Sequence, residues 1–219
     1  MINSTLSDHA LDGILAQEIL GNDFISPMEI AVARSLTYSE EQVAELECSL
    51  PNKETLEWLL RNNHMLVAGS PSEMSLLDVH RLRPSYFYPH YKEGKWYTDP
   101  RQTFARTEKV TCRWYMTRKG IVPRSTSKWW GTQQKLLSDL ETVPTAVELV
   151  WPLGCYKAVR GMFLLENLCA RTSSVDSVGR HVFLGDFGGE GLYVYKGYDN
   201  GPDPSLGVAS ARRLPAPSL

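Results

Sequence analysis

Cysteines spaced for a disulfide framework or a metal are missing from this chain. The four cysteines, Cys48, Cys112, Cys155 and Cys169, are scattered over 219 residues. No two form a CxxC pair, and no Cys/His cluster has zinc-finger spacing. A reduced protein working in the cytoplasm is expected. No apolar run reaches the roughly eighteen residues that a membrane-spanning helix needs, so no membrane partner is expected. Met1 to Ala10 place no basic segment ahead of an apolar core, which argues against a cleaved signal. Internal repeats and low-complexity tracts are missing. So are a glycine-rich phosphate loop ending in Gly-Lys-Ser/Thr, an HExxH pair and a nucleophile elbow. No cofactor and no metal are expected. What remains is an ordinary globular composition, 42% hydrophobic and 22% charged. It is long enough to bury a core without a staple.

Charge is unevenly placed. From Arg101 to Lys135 there are nine basic residues against one acid, Glu108, a formal +8. The first 63 residues carry eleven acids against Arg34, Lys53 and Arg61, a formal −8. The net charge of −2 conceals this split. Phe104, Trp114, Tyr115, Trp129 and Trp130 are interleaved with the cations.

The pattern predicts an α+β fold in which an acidic helical segment precedes a mainly antiparallel sheet with two longer helices. The segments expected are residues 1–63, acidic and helical; 64–200, the α+β domain; and 201–219, an irregular proline-bearing tail. One compact unit is expected equally with this division. Helices are expected from Ser7 to Ile19, from the capping box at Ser26-Pro27-Met28-Glu29, from Ser39 to Gln42 onward, and after Pro51-Asn52. His64 to Gly69 reads as a buried strand. Tyr86 to Tyr97, with Tyr91 and Glu93-Gly94, reads as a turn-rich aromatic patch. Val110 to Lys119 reads as a strand, with Val110, Cys112, Trp114 and Met116 inward and Thr111, Arg113, Tyr115 and Thr117 outward. A helix of about three turns is expected from Trp129. Another starts at the Thr145–Glu148 box, with Pro152 arguing for a kink or an early end. Phe163 to Tyr198 reads as an antiparallel meander turning at Asp176–Gly179 and Gly188–Gly191.

Two groups of residues carry candidate chemistry. Cations beside aromatic rings suit a phosphate track with stacked bases. Arg113, Arg118, Lys119, Arg124 and Lys128 are the expected phosphate contacts, and Tyr115 and Trp129 the stacking rings. Arg124-Ser125-Thr126-Ser127-Lys128 offers three hydroxyls and two cations ahead of a helix start, a place for a phosphate or carboxylate. For acid–base chemistry the weaker candidates are His181, Asp176 and Asp186, near one another if the meander forms. No catalytic residue is assigned.

Pro123 to Lys128 with Trp129-Trp130 and Gln133 to Leu137, Val175 to Gly179, and Leu206 to Arg212 resemble segments of an uncharacterised family of bacterial proteins. The resemblance covers roughly residues 64–213. It implies a bacterial origin and one folded unit over that span, and it brings no activity or site residue.

The leading functional expectation is a non-enzymatic binding protein for a polyanion, with nucleic acid as the first case. One alternative is a hydrolase acting on a phosphorylated or acidic small molecule. The other is a scaffold or interaction protein whose charge blocks neutralise each other, marked by arginines paired to Glu40, Glu41 or Glu45.

Overall fold

The computed structural model describes residues 13–89 and 95–213. Ser7, Tyr91, Glu93-Gly94 and residues 214–219 lie outside the described residues. Residues 13–20 are helical (α1). Three capped helices follow. Ser26 and Glu29 cap each other reciprocally at the start of α2 (Pro27–Arg34), and Ser39 and Gln42 do the same for α3 (Glu40–Cys48). Asn52 accepts the Thr55 amide at 3.0 Å to start α4 (Lys53–Arg61). These side chains satisfy amides that a helix start leaves without partners.

This acidic segment is not a separate body. Between α1 and α2, β1 (Phe24–Ile25) pairs in parallel with β2 (His64–Ala68). Arg160 ties the same stretch down through the Asn22 carbonyl, the Phe24 carbonyl and the Glu29 carboxylate, at 2.9, 2.6 and 2.6 Å. Residues on both sides of position 63 share one core.

After β2 come α5 (Leu76–Leu82) and α6 (Phe104–Thr107). The antiparallel partner of β2 is β3 (Trp114–Arg118), shorter than the sequence suggests. The expected inward and outward sets do not hold along it. Trp114, Tyr115, Met116 and Thr117 are all buried, because β3 lies inside the sheet with structure on both faces. Alternation marks a half-buried strand, not a central one.

The helix expected at Trp129 is a single turn, α7 (Trp130–Gln134). Arg124 and Ser127 take left-handed backbone conformations, with φ of 63° and 55°. They bend the preceding segment away from a helical start. Leu136, beyond the end of this turn, is exposed. β4 (Glu141–Thr142) then leads to α8 (Ala146–Arg160), which runs uninterrupted through Pro152 to a left-handed Gly161. Nearly every residue from Ala146 to Tyr156 is buried. A helix apolar on all sides belongs in an interior. It touches β1 and β3 as well as the second sheet, so it is the element on which the layers meet.

That second sheet is the predicted meander. It contains β5 (Cys169–Val175), β6 (His181–Gly188) and β7 (Gly191–Gly197), antiparallel, with β8 (Leu206–Val208) parallel to β5. β9 (Ala211–Arg212) returns to the first sheet between β3 and β4, giving the order β1-β2-β3-β9-β4. The expected irregular tail therefore supplies a strand to each sheet. The fold is α+β with mainly antiparallel mixed sheets.

Candidate anion-binding cleft

The first sheet is incomplete at its centre. β9 meets β3 at Thr117, opposite Ala211, and meets β4 at Thr142 and Glu141. Toward Trp114 the strand β3 continues without β9 beside it. The gap is a cavity of about 120 Å³, lined by Arg113, Thr117, Thr142, Pro144, Glu148, Arg212 and Arg213 together with the β3 backbone.

The Thr145–Glu148 capping box places one carboxylate at this cavity. One Glu148 oxygen accepts from the Thr145 amide and hydroxyl, at 2.9 and 3.0 Å. The other takes Nη2 of Arg113 at 2.5 Å. The Arg113 guanidinium also lies over the Tyr115 ring, 4.9 Å from its centroid. Arg212 stacks on Trp58 at 4.5 Å. Its Nε and Nη1 are buried and have no hydrogen-bond partner. Thr117, 1% exposed, carries a buried hydroxyl in the same condition. Arg113, Arg212 and Arg213 against Glu148 give the residues lining the cavity a formal +2. Because Thr117 pairs with Ala211, the Arg212 guanidinium lies on the other face of the sheet, against Trp58.

Next to Arg212 lies a polar cluster. His64 is fully buried, with Nδ1 2.8 Å from the Asn62 carbonyl, so Nδ1 carries the proton. Its Nε2 is 3.3 Å from Ser210 Oγ. The Ser210 hydroxyl donates to Glu141 at 2.5 Å, and Glu141 also accepts from the Ser138 amide and hydroxyl. Burial pushes the His64 pKa down to about 4. Serine, histidine and glutamate are thus together, but not as a nucleophile with its base. The serine proton goes to the carboxylate, and Ser210 is 1% exposed, closed to a substrate.

The residues expected to contact phosphates are spread over several places. Arg113 alone among them lines the cleft. Arg118 donates to the Ile121 and Asn62 carbonyls at 3.1 and 2.8 Å. Lys119 pairs with Asp23 at 2.7 Å. Arg101 is held by Asp99, Lys109 by Asp78, and Arg106 by backbone carbonyls. Ser125 is buried, and its hydroxyl accepts the Val208 amide at 3.1 Å, so it is not free to cap α7 or an anion. Thr126 is half-buried and Ser127 exposed, and α7 has no side-chain cap. Arg124 is exposed and Lys128 half-buried. Tyr115 is buried, with its hydroxyl accepting the Thr111 amide, so its face is not open to a base. Trp129 is 62% exposed.

The acid–base candidates also take other partners than expected. Asp176 is consumed by its own turn, accepting from the Val178 and Arg180 amides and the Arg180 guanidinium. His181 pairs with Asp199 at 2.6 Å and lies under Trp130, ring centroids 4.0 Å apart. Strand alternation alone would put Asp186 on the face of Val182 and Leu184. A bulge between Gly185 and Gly188 gives it a φ of 46° and turns it out to solvent. Glu40, Glu41 and Glu45 form no ion pair with the basic centre among the described residues. Also among the described residues, no group of three or more His, Cys, Asp or Glu could hold a metal ion, and no helix is long and apolar enough to cross a membrane.

Sequence reasoning missed Thr142, Arg212 and Arg213, and placed Thr117 only on the outward face of its strand. The adjacent arginines were the available signal, but they lay in a stretch read as tail. Compared with family models, curated proteins and solved structures, the chain matches none. The class of protein is therefore set by the fold and cleft alone: an α+β protein with an arginine-lined opening in its sheet.

Proposed function

We propose that this is a non-enzymatic binding protein whose ligand presents a compact oxyanion, a phosphate or carboxylate group, to the cleft between β3, β9 and the start of α8. One observation carries the reading: the residues lining the cleft set three arginines, Arg113, Arg212 and Arg213, against one carboxylate, Glu148. An oxyanion would offset that excess of positive charge and accept from the exposed Arg113 and Arg213. This narrows the polyanion expectation from an extended phosphate track to one anionic group. Most of the central cations already hold carboxylates or carbonyls of the chain.

The test is thermal unfolding and calorimetric titration with inorganic phosphate, a phosphate monoester and a tricarboxylate at fixed ionic strength. At least one should bind, and at a hundredfold its dissociation constant it should stabilise by about 2.7 kcal/mol. Arg213→Met should weaken the response. No binding by any of the three would overturn the proposal. Tight, steeply salt-dependent binding of a mixed oligonucleotide that survives Arg213→Met would replace it with the nucleic-acid reading.

A further inference from the structure

The cleft contains an anion of its own. Arg113, just ahead of β3, covers the Tyr115 ring and so stands on the face that Tyr115 shares with Thr117. Thr117 pairs with Ala211, and Arg213 follows Ala211 by two residues. Arg113 and Arg213 therefore rise on one face of the sheet, and both line the cavity. Glu148 reaches the same place from the start of α8 through its 2.5 Å contact with Arg113 Nη2. Among the described residues it is the one carboxylate lining the cavity, and its side chain is 22% exposed.

A carboxylate offers about four lone-pair positions to donors. On Glu148 the capping box fills the two of one oxygen, with the Thr145 amide and hydroxyl. Among the described residues the other oxygen, Oε1, takes Arg113 alone. One acceptor position remains, on the oxygen that holds Arg113. A ligand that is only an anion brings like charge to this oxygen and competes with it for Arg113. A ligand that is only a cation meets Arg113 and Arg213. A ligand with a positive donor beside its oxyanion satisfies both sides at once. The cavity, about 120 Å³, is below the roughly 300–1,000 Å³ of a pocket for a drug-sized molecule, so the two charges must sit within a few bonds of each other.

We infer that the ligand of the cleft is a zwitterion of the α-amino-acid kind, with Arg113 and Arg213 donating to its carboxylate and Glu148 Oε1 accepting from its ammonium group. Glu148 is then the residue that determines specificity. The inference rests on the oxyanion reading of the cleft and adds the positive group that the ligand must carry.

The experiment compares two pairs of compounds that differ only in the α-ammonium group: L-alanine with propionate, and L-glutamate with glutarate. Affinities for the full chain are measured by calorimetry or ligand-observed NMR at neutral pH and fixed ionic strength. The ammonium-bearing member of at least one pair should bind about tenfold more tightly, the order expected of one charge-assisted hydrogen bond. Glu148→Gln keeps a side chain that can complete the capping box, so the fold is retained. In that variant the preference should vanish, and the plain carboxylates should bind more tightly than they do to the unsubstituted chain. Equal affinities within both pairs, or a preference that survives Glu148→Gln, overturn the inference and leave the oxyanion reading standing. So does binding of phosphate without binding of either amino acid. If neither phosphate nor any of these four compounds binds, the oxyanion reading falls with it.

Discussion

Thr117 and Arg212 are side chains whose surroundings leave polar atoms without partners, and such atoms oppose folding. Thr117→Val removes a buried hydroxyl that has no partner and leaves the shape nearly unchanged. Its stability without ligand should rise by about 1 kcal/mol, measured as a shift in the urea midpoint, while its affinity for the oxyanion falls. The opposed signs are the point. A hydroxyl retained only for packing would give no loss of binding. At this scale the sequence was a partial guide. The cationic character of Arg113 was evident, whereas its pairing with Glu148 depended on a helix start 35 residues further on.

At the scale of elements, the helix starts were legible and the strands less so. Capping boxes are local: Ser26 with Glu29, Ser39 with Gln42 and Thr145 with Glu148 need only three intervening bonds of chain to find each other. Strand faces are not local, since burial of Thr117 depends on what α8 and β9 place around it. The end of β2 illustrates how closely the elements approach. A Cβ at Gly69 would lie 1.9 Å from the Thr111 carbonyl oxygen and 2.7 Å from that of Arg113. Gly69 also donates its amide to the Arg113 carbonyl at 2.7 Å. Gly69→Ala must therefore push the segment leading into β3 away from β2. A loss of about 2–3 kcal/mol in chemical denaturation is expected, together with weaker oxyanion binding because Arg113 moves. Wild-type stability in this variant would show that the two segments are not in this contact.

Across the whole molecule, a chain split into −8 and +8 blocks does not fold into an acidic half and a basic half. Lys119 with Asp23 joins the two blocks, but most central cations find partners close by in the chain or on backbone carbonyls. What the molecule does carry is acid sensitivity. His64 has its pKa lowered from 6.5 to about 4 by burial. His80 is lowered to about 4 as well, by burial and by Lys95 beside it. A base with a depressed folded pKa takes up its proton more readily when unfolded. Its neutral form therefore supports folding fully above pH 6.5, and that support is lost as pH falls toward 4. For His64 the loss is on the order of 3 kcal/mol. Denaturation curves between pH 7 and pH 4 should show stability declining through this window. His64→Asn, whose amide can still donate to the Asn62 carbonyl, should make the decline shallower. An unchanged slope would mean that His64 is not the group being titrated.

The sequence by itself determined the α+β class, the helix starts at Ser26, Ser39, Asn52 and Thr145, the buried β2 strand and the three-stranded meander, because each rests on neighbouring residues and a short repeat. It did not determine that the supposed tail supplies β8 and β9, that α8 passes through Pro152, or that Arg113 and Glu148 meet at a gap beside β3. Those outcomes depend on which distant segments share a sheet. The same holds for charge: the chain sets how many cations there are, but only tertiary packing decides which carboxylate or carbonyl lies within reach of each, and so which guanidinium groups remain for an outside anion.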